Sequence, residues 1–142
     1  AHGAVVGALP SGRKSGTPLA DGASPYPSYD KNGPSAIIKS VASLHNANNG
    51  CGTLLNMKFS PALLKSGEDK TKLGAMLRAM ARLGCYHVQF NVVGRDTLED
   101  AVEHPQDHQD LLVRVAGYSA YFTQLRPESQ QMIIDRTELS AW

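Results

Sequence analysis

The sequence lacks several features that would place it in a specialised class of protein. Its two cysteines, Cys51 and Cys85, are too few for a disulfide framework and lack the CxxC spacing of redox and zinc sites. A net charge of +1 provides no strong field for nucleic acid or an anionic membrane. No apolar run approaches the ~18 residues that a membrane span requires, and no signal-peptide pattern opens the chain. These absences favour a cytoplasmic protein with no nucleic-acid or membrane partner.

The composition is that of a folded domain. The chain has 142 residues, of which 42% are hydrophobic and 19% charged, enough to bury a core of its own. It begins at Ala1 within a loop-like stretch, which suggests either a piece of a longer chain or removal of the initiator methionine. Residues 1–33 are rich in Gly, Pro and Ser and are predicted to be irregular, whereas residues 34–142 contain the periodic segments.

Hydrophobic periodicity predicts an α/β fold. A helix is expected from Pro34 to Leu44, a strand over residues 53–59, a helix over residues 68–83 and a strand over residues 86–93. Strand, long helix and strand in this order indicate a βαβ crossover with parallel strands. The last of these strands is expected to be half-buried, with one apolar face formed by Tyr86, Val88, Phe90 and Val92.

The C-terminal third adds two helices and one strand. Asp96 and Glu99 have the spacing of a capping box, which predicts a helix that ends at His104, before Pro105. The apolar stretch LLVRV, residues 111–115, is expected to form a short strand. Arg126-Pro127 is expected to open a final helix.

Three local patterns are weak candidates for function. Residues 7–15, GALPSGRKS, nearly match a phosphate-binding loop, but the lysine is one residue late and no strand or helix flanks the segment. His104 and His108 have the spacing of helical metal ligands, but Pro105 separates them and a solvated turn is expected. The two cysteines are expected to act as small buried hydrophobes. We therefore expect no metal or cofactor to be bound by this chain.

Gly117 needs an explanation because it interrupts an apolar, strand-forming stretch, LLVRVAGYSAYF. A glycine after a strand ordinarily supplies a positive φ or a close backbone approach. Either role would suffice for Gly117 alone. A chemical role for the glycine is the alternative.

Several blocks of the sequence resemble the C-terminal glycyl radical domain of the glycyl radical enzymes, the superfamily of pyruvate formate-lyase and the glycerol and diol dehydratases. They occur in family order across nearly the whole chain: GRKSGTPLADGASP, DKNGPSAIIKSVASL, GTLLNMKFSP, HVQFNVV and RVAGY. The RVAGYSAYF form is more similar to the dehydratase, C–X lyase and decarboxylase branches. The resemblance implies the C-terminal part of a ten-stranded α/β barrel, with a glycyl radical loop, a terminal helix and residues 1–33 packed on the barrel.

The resemblance also implies that Gly117 stores a radical, which a separate activase installs with S-adenosylmethionine and an iron–sulfur cluster. A radical on the α-carbon is stabilised when the centre becomes planar, and glycine has no Cβ to crowd that state. The motif residues Arg114, Val115, Ala116 and Tyr118 surround it. Arg114 and Tyr118 either seat the loop or contact the activase, with a salt bridge and a core contact as the purely structural alternative. Apolar neighbours such as Val113 are expected to exclude water and oxygen.

Nothing in the chain resembles the loop that carries the catalytic cysteine of the family. We therefore expect a larger chain to supply that cysteine and this chain alone to perform no turnover. It is either the C-terminal piece or small subunit of a dehydratase- or lyase-type enzyme, or a spare-part protein that replaces an oxygen-cleaved glycyl radical region. A third alternative is an inert binding module in which Gly117 only forms a turn.

Overall fold

The structure is a computed structural model that describes residues 3–26, 29–44, 46–48 and 53–142. Four α-helices and five strands follow one another in this described part of the chain: α1 (Gly33–Ala42), β1 (Leu54–Phe59), α2 (Gly67–Arg82), β2 (His87–Val92), α3 (Arg95–Glu103), β3 (Leu112–Arg114), β4 (Ser119–Tyr121), α4 (Pro127–Asp135) and β5 (Glu138–Leu139). β4 and β5 are absent from the sequence prediction because each is too short to show a periodic pattern.

The strands form one parallel sheet and one hairpin. β1 lies at the centre of the sheet with β2 and β5 on either side. β1 and β2 pair in parallel from Leu54–His87 to Phe59–Val92, and α2 connects them, so the predicted βαβ unit is confirmed. β3 and β4 pair antiparallel. The described residues form five strands and no closed barrel. The α/β class is therefore confirmed, and a ten-stranded barrel stays a prediction about a larger assembly.

Three helices begin close to where the sequence predicts. α1 begins at Gly33 with Pro34 in its first turn, and α4 begins at Pro127. α2 follows Ser66, whose hydroxyl accepts a hydrogen bond from the N–H of Asp69, while the Asp69 carboxylate accepts from the N–H of Ser66. This capping box satisfies two backbone donors that the helix itself leaves free.

The apolar stripe of α2 is only partly buried. Met76 and Met80 fill the core, as expected, and Leu73 is half-buried. Leu77 and Leu83 remain 40% and 50% exposed. No helix in the described part of the chain is both long and apolar enough to cross a membrane.

The capping box predicted for α3 is wrong. The helix begins at Arg95, and Gly94 occupies the N-cap position, two residues before Asp96, without a side-chain cap. The carboxylate of Asp96 accepts from the N–H of Thr97, and that of Glu99 pairs with Arg95 one turn before it, at 2.7 Å. The spacing of Asp96 and Glu99 is compatible with a capping box and equally with a pairing of Glu99 with a cation one turn earlier. The chain adopts the second pattern.

The predicted burial of β2 is also wrong. Its polar residues Gln89 and Asn91 are only 5% and 6% exposed, whereas Tyr86 and Val92, at the ends of the expected apolar face, are 69% and 50% exposed. The rest of that face is half-buried: Val88 and Phe90. The β3–β4 hairpin covers the polar face: its backbone donates one hydrogen bond each to Asn91 and Gln89 and accepts one from Asn91. Alternation showed that the two faces differ, but not which one is covered.

Two apolar clusters hold the elements together. The first joins the sheet to α1 and α2, and it consists of Ile37, Ile38, Val41, Leu55, Met57, Phe59, Met76, Met80, Cys85 and Leu139. The second joins α3, α4 and the hairpin, and it consists of Val93, Leu98, Ala101, Val113, Val115, Phe122, Ile133 and Ile134. The second cluster therefore fixes the hairpin against the helices that follow and precede it.

Lys58 connects β1 to the end of α4. Its side chain is almost completely buried, and Nζ donates to the carbonyl of Ile134 at 2.9 Å and to that of Ile133 at 3.4 Å. Burial lowers the pKa of Lys58, because the charged form loses its water. A cation at the C-terminal carbonyls of a helix is favourable. This contact fixes the end of α4, and hence the position of Arg136 directly after it.

The N-terminal segment contains turns but no helix or strand in residues 3–26 and 29–32. It contacts β1 through hydrogen bonds: the N–H of Ala23 donates to the carbonyl of Leu54 at 2.8 Å, and the hydroxyl of Ser24 accepts from the N–H of Asn56 at 2.9 Å. Gly22 has φ +63°, and a side chain there would lie 2.5 Å from the carbonyl oxygen of Leu54. Close approach to β1 therefore requires a glycine at this position.

Arg13 organises the first turns of the chain. Its guanidinium donates to the carbonyls of Gly3 at 3.0 Å and Gly7 at 2.9 Å, and also to those of Val6 and Thr17. The resemblance of residues 7–15 to a phosphate loop therefore has a structural explanation. The arginine that displaces the lysine from the motif folds the loop upon itself.

We predict that Arg13→Met exposes this segment to proteases. Four carbonyls lose a charged donor, and each lost bond contributes about 1 kcal/mol, so cleavage within residues 3–17 should accelerate about tenfold or more. The measurement is limited proteolysis with a protease of broad specificity, followed by mass spectrometry. Lys14→Met, at the exposed neighbouring position, should leave the rate unchanged. Equal rates for wild type and Arg13→Met would contradict the assignment.

His104 and His108 share one carboxylate. Asp100 accepts a hydrogen bond from Nδ1 of His104 at 2.9 Å and contacts Nε2 of His108 at 2.6 Å. Within the described residues, no group of three or more His, Cys, Asp or Glu side chains could hold a metal ion. The expected turn is confirmed, with both imidazoles folded back on the end of α3.

We predict that Asp100→Asn lowers the pKa of His104. The hydrogen bond and charge of Asp100 raise that pKa above its ordinary value of 6.5. Protonated His104 therefore favours the folded state, fully below pH 6.5 and progressively less as the pH rises through the raised pKa. The test is an NMR titration of the imidazole resonances. Asp107→Asn, which removes a weaker charge effect, should shift the pKa less; the reverse order would refute the pairing.

Candidate functional site

The RVAGY motif forms the tip of the β3–β4 hairpin. Arg114, the last residue of β3, pairs with Ser119, the first of β4. Between them the N–H of Val115 donates to the carbonyl of Tyr118 at 2.9 Å, which closes a four-residue connection. The strands of a hairpin therefore hold both ends of the motif, and the glycine lies within the connection.

Gly117 occupies a conformation that favours glycine, in an open place. Its φ is +83°, the residue is exposed, and no heavy atom of the described residues other than Ala116, Gly117 and Tyr118 lies within 4 Å of the position that a Cβ would take. Of the two ordinary roles of such a glycine, the positive φ is present and the close approach is absent. The backbone conformation accounts for the absence of a side chain, and crowding does not.

Two buried side chains of β2 hold the hairpin. Asn91 makes two hydrogen bonds with the backbone of Arg114, accepting from its N–H and donating to its carbonyl, each at 2.8 Å. Gln89 accepts a hydrogen bond from the N–H of Gly117 through Oε1 at 3.2 Å. Because residues i and i+2 of a strand share one face, β2 presents both amides to the same hairpin.

Arg136 holds the hairpin from the other side. Its guanidinium donates to the carbonyl of Arg114 at 3.1 Å and to that of Val115, and it forms a salt bridge with Asp21 at 2.7 Å. Asp21 also accepts from the side-chain amide of Asn56 at 2.9 Å. Burial lowers the pKa of Arg136, and the charge of Asp21 opposes that shift. The N-terminal segment, β1 and the residue after α4 thus meet at the hairpin.

The motif side chains around Gly117 face in different directions. Val115 is buried in the second apolar cluster, and Ala116 is half-buried. Arg114 donates to the hydroxyl of Ser119 at 3.1 Å and has no salt bridge within the described residues, while Tyr118 is 53% exposed. Neither structural alternative for Arg114 and Tyr118, the salt bridge or the core contact, is therefore present.

The apolar neighbours do not shield the glycine in this chain. Val113, Val115 and Phe122 are at most 4% exposed, but they pack against α3 and α4. Gly117 itself stays exposed at the hairpin tip. Protection of its α-carbon from water and oxygen therefore needs a surface other than the described residues.

Cys85 is a core residue, as expected. It is 6% exposed, its Sγ lies 3.6 Å from the carbonyl oxygen of Ile38, and burial raises the pKa of its thiol. A buried thiol with a raised pKa is a poor nucleophile. Cys51 lies outside the described residues.

Gln89, Asn91 and Arg136 were not predicted as site residues. The only sequence signal for the first two was the run of alternating polar residues in HVQFNVV, which was interpreted as the solvent face of a strand. Arg136 had no local signal, because its partners lie 21, 22 and 115 residues away.

The chain is similar to known proteins over nearly its whole length. The family model "Glycine radical" matches residues 19–123, which include the hairpin. The chain is 50% identical over 137 residues to "Probable dehydratase YbiW" of Escherichia coli, covering 96% of this chain and 17% of that protein. It is 43% identical over 141 residues to the isethionate sulfite-lyase of Oleidesulfovibrio alaskensis, covering 98% of this chain and 17% of that protein.

The fold also matches solved structures. The glycerol-bound B12-independent glycerol dehydratase of Clostridium butyricum superposes with a TM-score of 0.92 at 45% identity, covering 98% of this chain and 18% of that chain. The chain thus spans about one sixth of the length of the proteins that it matches. Because the family model covers most of the chain and the relatives match nearly all of it, the chain belongs to the glycine radical family, as a glycyl radical domain of the dehydratase and lyase type.

Proposed function

We propose that this chain stores an unpaired electron on the α-carbon of Gly117, for use by a dehydratase- or lyase-type glycyl radical enzyme. The observation that carries the proposal is the geometry of the hairpin tip. Gly117 is exposed, has open space at its α-carbon and is held by a fixed stem, all within the region that matches the family. A carbon that must be reached by other groups needs to be accessible and well positioned at once.

The proposed chemistry begins with homolysis of one Cα–H bond of Gly117. From the family resemblance, the hydrogen atom passes to a radical that the activase generates from S-adenosylmethionine with its iron–sulfur cluster. The electron left on the α-carbon is delocalised, because the amide nitrogen donates electron density and the carbonyl withdraws it. Glycine allows the carbon to become planar without a Cβ clash. Later, the glycyl radical takes a hydrogen atom from a cysteine thiol, which regenerates glycine and leaves a thiyl radical.

The reacting cysteine is proposed to lie on a larger polypeptide, upstream or in a partner chain. Cys85 is unsuited to the role, since it is buried against α1 with a raised pKa. Several large apolar side chains of this chain are at the same time exposed: Leu77, Leu83, Tyr86, Val92, Leu112, Tyr118 and Tyr121. Apolar surface near the hairpin and on α2 supports burial against further polypeptide, which would also shield the radical.

The alternative is a spare-part protein that replaces an oxygen-cleaved glycyl radical region in a damaged enzyme. Both functions use the same radical at Gly117 and differ only in what the chain restores. We favour the domain or subunit, because relatives of the dehydratase and lyase type match nearly the whole chain, including the N-terminal segment that Asp21 anchors to Arg136.

We predict that Gly117→Ala abolishes the radical, whereas Gly84→Ala does not. Both glycines have a positive φ, +83° and +76°, so each alanine should cost about 1 kcal/mol of folding stability. Only the alanine at position 117 places a Cβ on the radical carbon. The protein is incubated anaerobically with an activase and S-adenosylmethionine, and the electron paramagnetic resonance doublet is recorded. A doublet that survives in Gly117→Ala, or none in wild type, would refute the proposal.

The same experiment separates the two functions when it is repeated with a partner. Turnover that requires an intact larger chain carrying the cysteine supports the domain or subunit. Activity restored only to an oxygen-cleaved enzyme supports the spare-part protein.

We also predict that air cleaves the activated chain at Gly117. Oxygen adds to the carbon radical, and the backbone then breaks at that residue and releases a peptide that begins near Tyr118. Mass spectrometry should detect the fragment only after activation and air exposure. Gly117→Ala, and wild type that was never activated, are the controls that should stay intact. An unchanged mass for the activated wild type would contradict radical storage at this position.

A further inference from the structure

Gln89 is the side chain that contacts the backbone of Gly117 itself. Its Oε1 accepts the Gly117 N–H at 3.2 Å, across 28 residues of sequence. The side-chain amide can meet an N–H only with its oxygen, so this contact fixes its orientation. The nitrogen Nε2 then has no hydrogen-bond partner among the residues that the structure describes, and it is buried.

This arrangement is a poor solution for stability alone. Gln89 is only 5% exposed, and a buried amide donor without a partner destabilises the folded state. A leucine of similar length would fill the space under the hairpin without that penalty. Asn91, two residues later, differs in this respect, because it makes two bonds with Arg114 and thereby replaces a strand pairing. Compared with a leucine, the glutamine therefore provides one additional interaction, the hydrogen bond with Gly117.

The contact also acts on the nitrogen that matters for the proposed radical. An acceptor on an N–H increases the electron density of that amide nitrogen. The nitrogen lone pair is the donor that delocalises an electron from the adjacent α-carbon. The same bond fixes the plane of the Ala116–Gly117 peptide, and that plane sets the direction of the lone pair. The radical orbital overlaps with this lone pair once the chain rotates about the N–Cα bond from the φ of +83°.

We propose that Gln89 is a positioning residue for the Gly117 radical: its Oε1 orients the preceding peptide and strengthens the donation that stabilises the electron. This inference rests on the proposed function of Gly117. It assigns separate roles to two neighbours on β2, with Asn91 fixing the hairpin stem and Gln89 tuning the tip.

The hydrogen bond is tested first in the protein without a radical. In Gln89→Leu, hydrogen exchange of the Gly117 amide, followed by NMR or mass spectrometry, should accelerate about fivefold, while exchange of the Arg114 amide stays protected by Asn91. Thermal stability should stay equal or rise. His87→Leu, at an exposed position on the same face of β2, is the matched control and should change neither amide. Unchanged exchange at Gly117 would overturn the inference.

The effect on the radical is tested in the complete enzyme after anaerobic activation. Gln89→Leu should raise the α-proton splitting of the doublet and lower the amide nitrogen coupling, because less of the electron reaches the nitrogen. Gln89→Glu retains an acceptor oxygen, so both of its couplings should lie closer to those of the wild type than the couplings of Gln89→Leu do. A residue that only supports the fold would change the radical yield and leave these couplings constant, and that result would overturn the inference.

Radical storage at Gly117 and the role of Gln89 are refuted by different results. No doublet in the activated wild type would refute radical storage, while the exchange measurement would still report on the hydrogen bond. A normal doublet with identical couplings in wild type and Gln89→Leu would refute the role of Gln89 and leave the proposed function intact.

Discussion

The salt bridge between Arg136 and Asp21 is the contact on which the arrangement of the site depends. Both side chains are largely buried, with 10% and 18% of their surface exposed, and the same guanidinium donates to the carbonyls of Arg114 and Val115. Removing one partner of such a pair leaves a buried charge uncompensated, at a cost of about 3–5 kcal/mol. The N-terminal segment, the sheet, the end of α4 and the hairpin are therefore coupled through one side chain.

That coupling divides the hairpin into a fixed stem and an open tip. The stem is held by strand pairing, by Asn91 and by Arg136, and its apolar side packs on α3 and α4. Beyond Val115, the described residues make one side-chain hydrogen bond to the tip, from the Gly117 N–H to Gln89, and the position that a Cβ would take on Gly117 is open. Polar side chains thus hold the hairpin in place near Gly117. Apolar packing at the same position would have enclosed the glycine.

Sequence reasoning succeeded where the information was local and failed where it was tertiary. Pro34 and Pro127 marked helix starts, and the strand–helix–strand order gave the parallel pairing of β1 and β2. The RVAGY motif identified Gly117 because the resemblance is carried by adjacent residues. Gln89 and Asn91 were assigned to solvent, since a polar alternation is the same whether water or a hairpin covers it. Arg136 could not be found at all, because its partners are distant in sequence.

The conformation of Gly117 adds a constraint on any radical at this carbon. Full overlap with the amide nitrogen needs φ near 180° or 0°, and at +83° the two orbitals are close to perpendicular. Loss of hydrogen should therefore be accompanied by rotation about the N–Cα bond. The preceding peptide is held by Gln89, and Arg136 holds the carbonyl of Val115, whereas the N–H of Tyr118 has no partner among the described residues. The part of the chain that moves is then the Gly117–Tyr118 peptide, which is exposed and has space at the open tip.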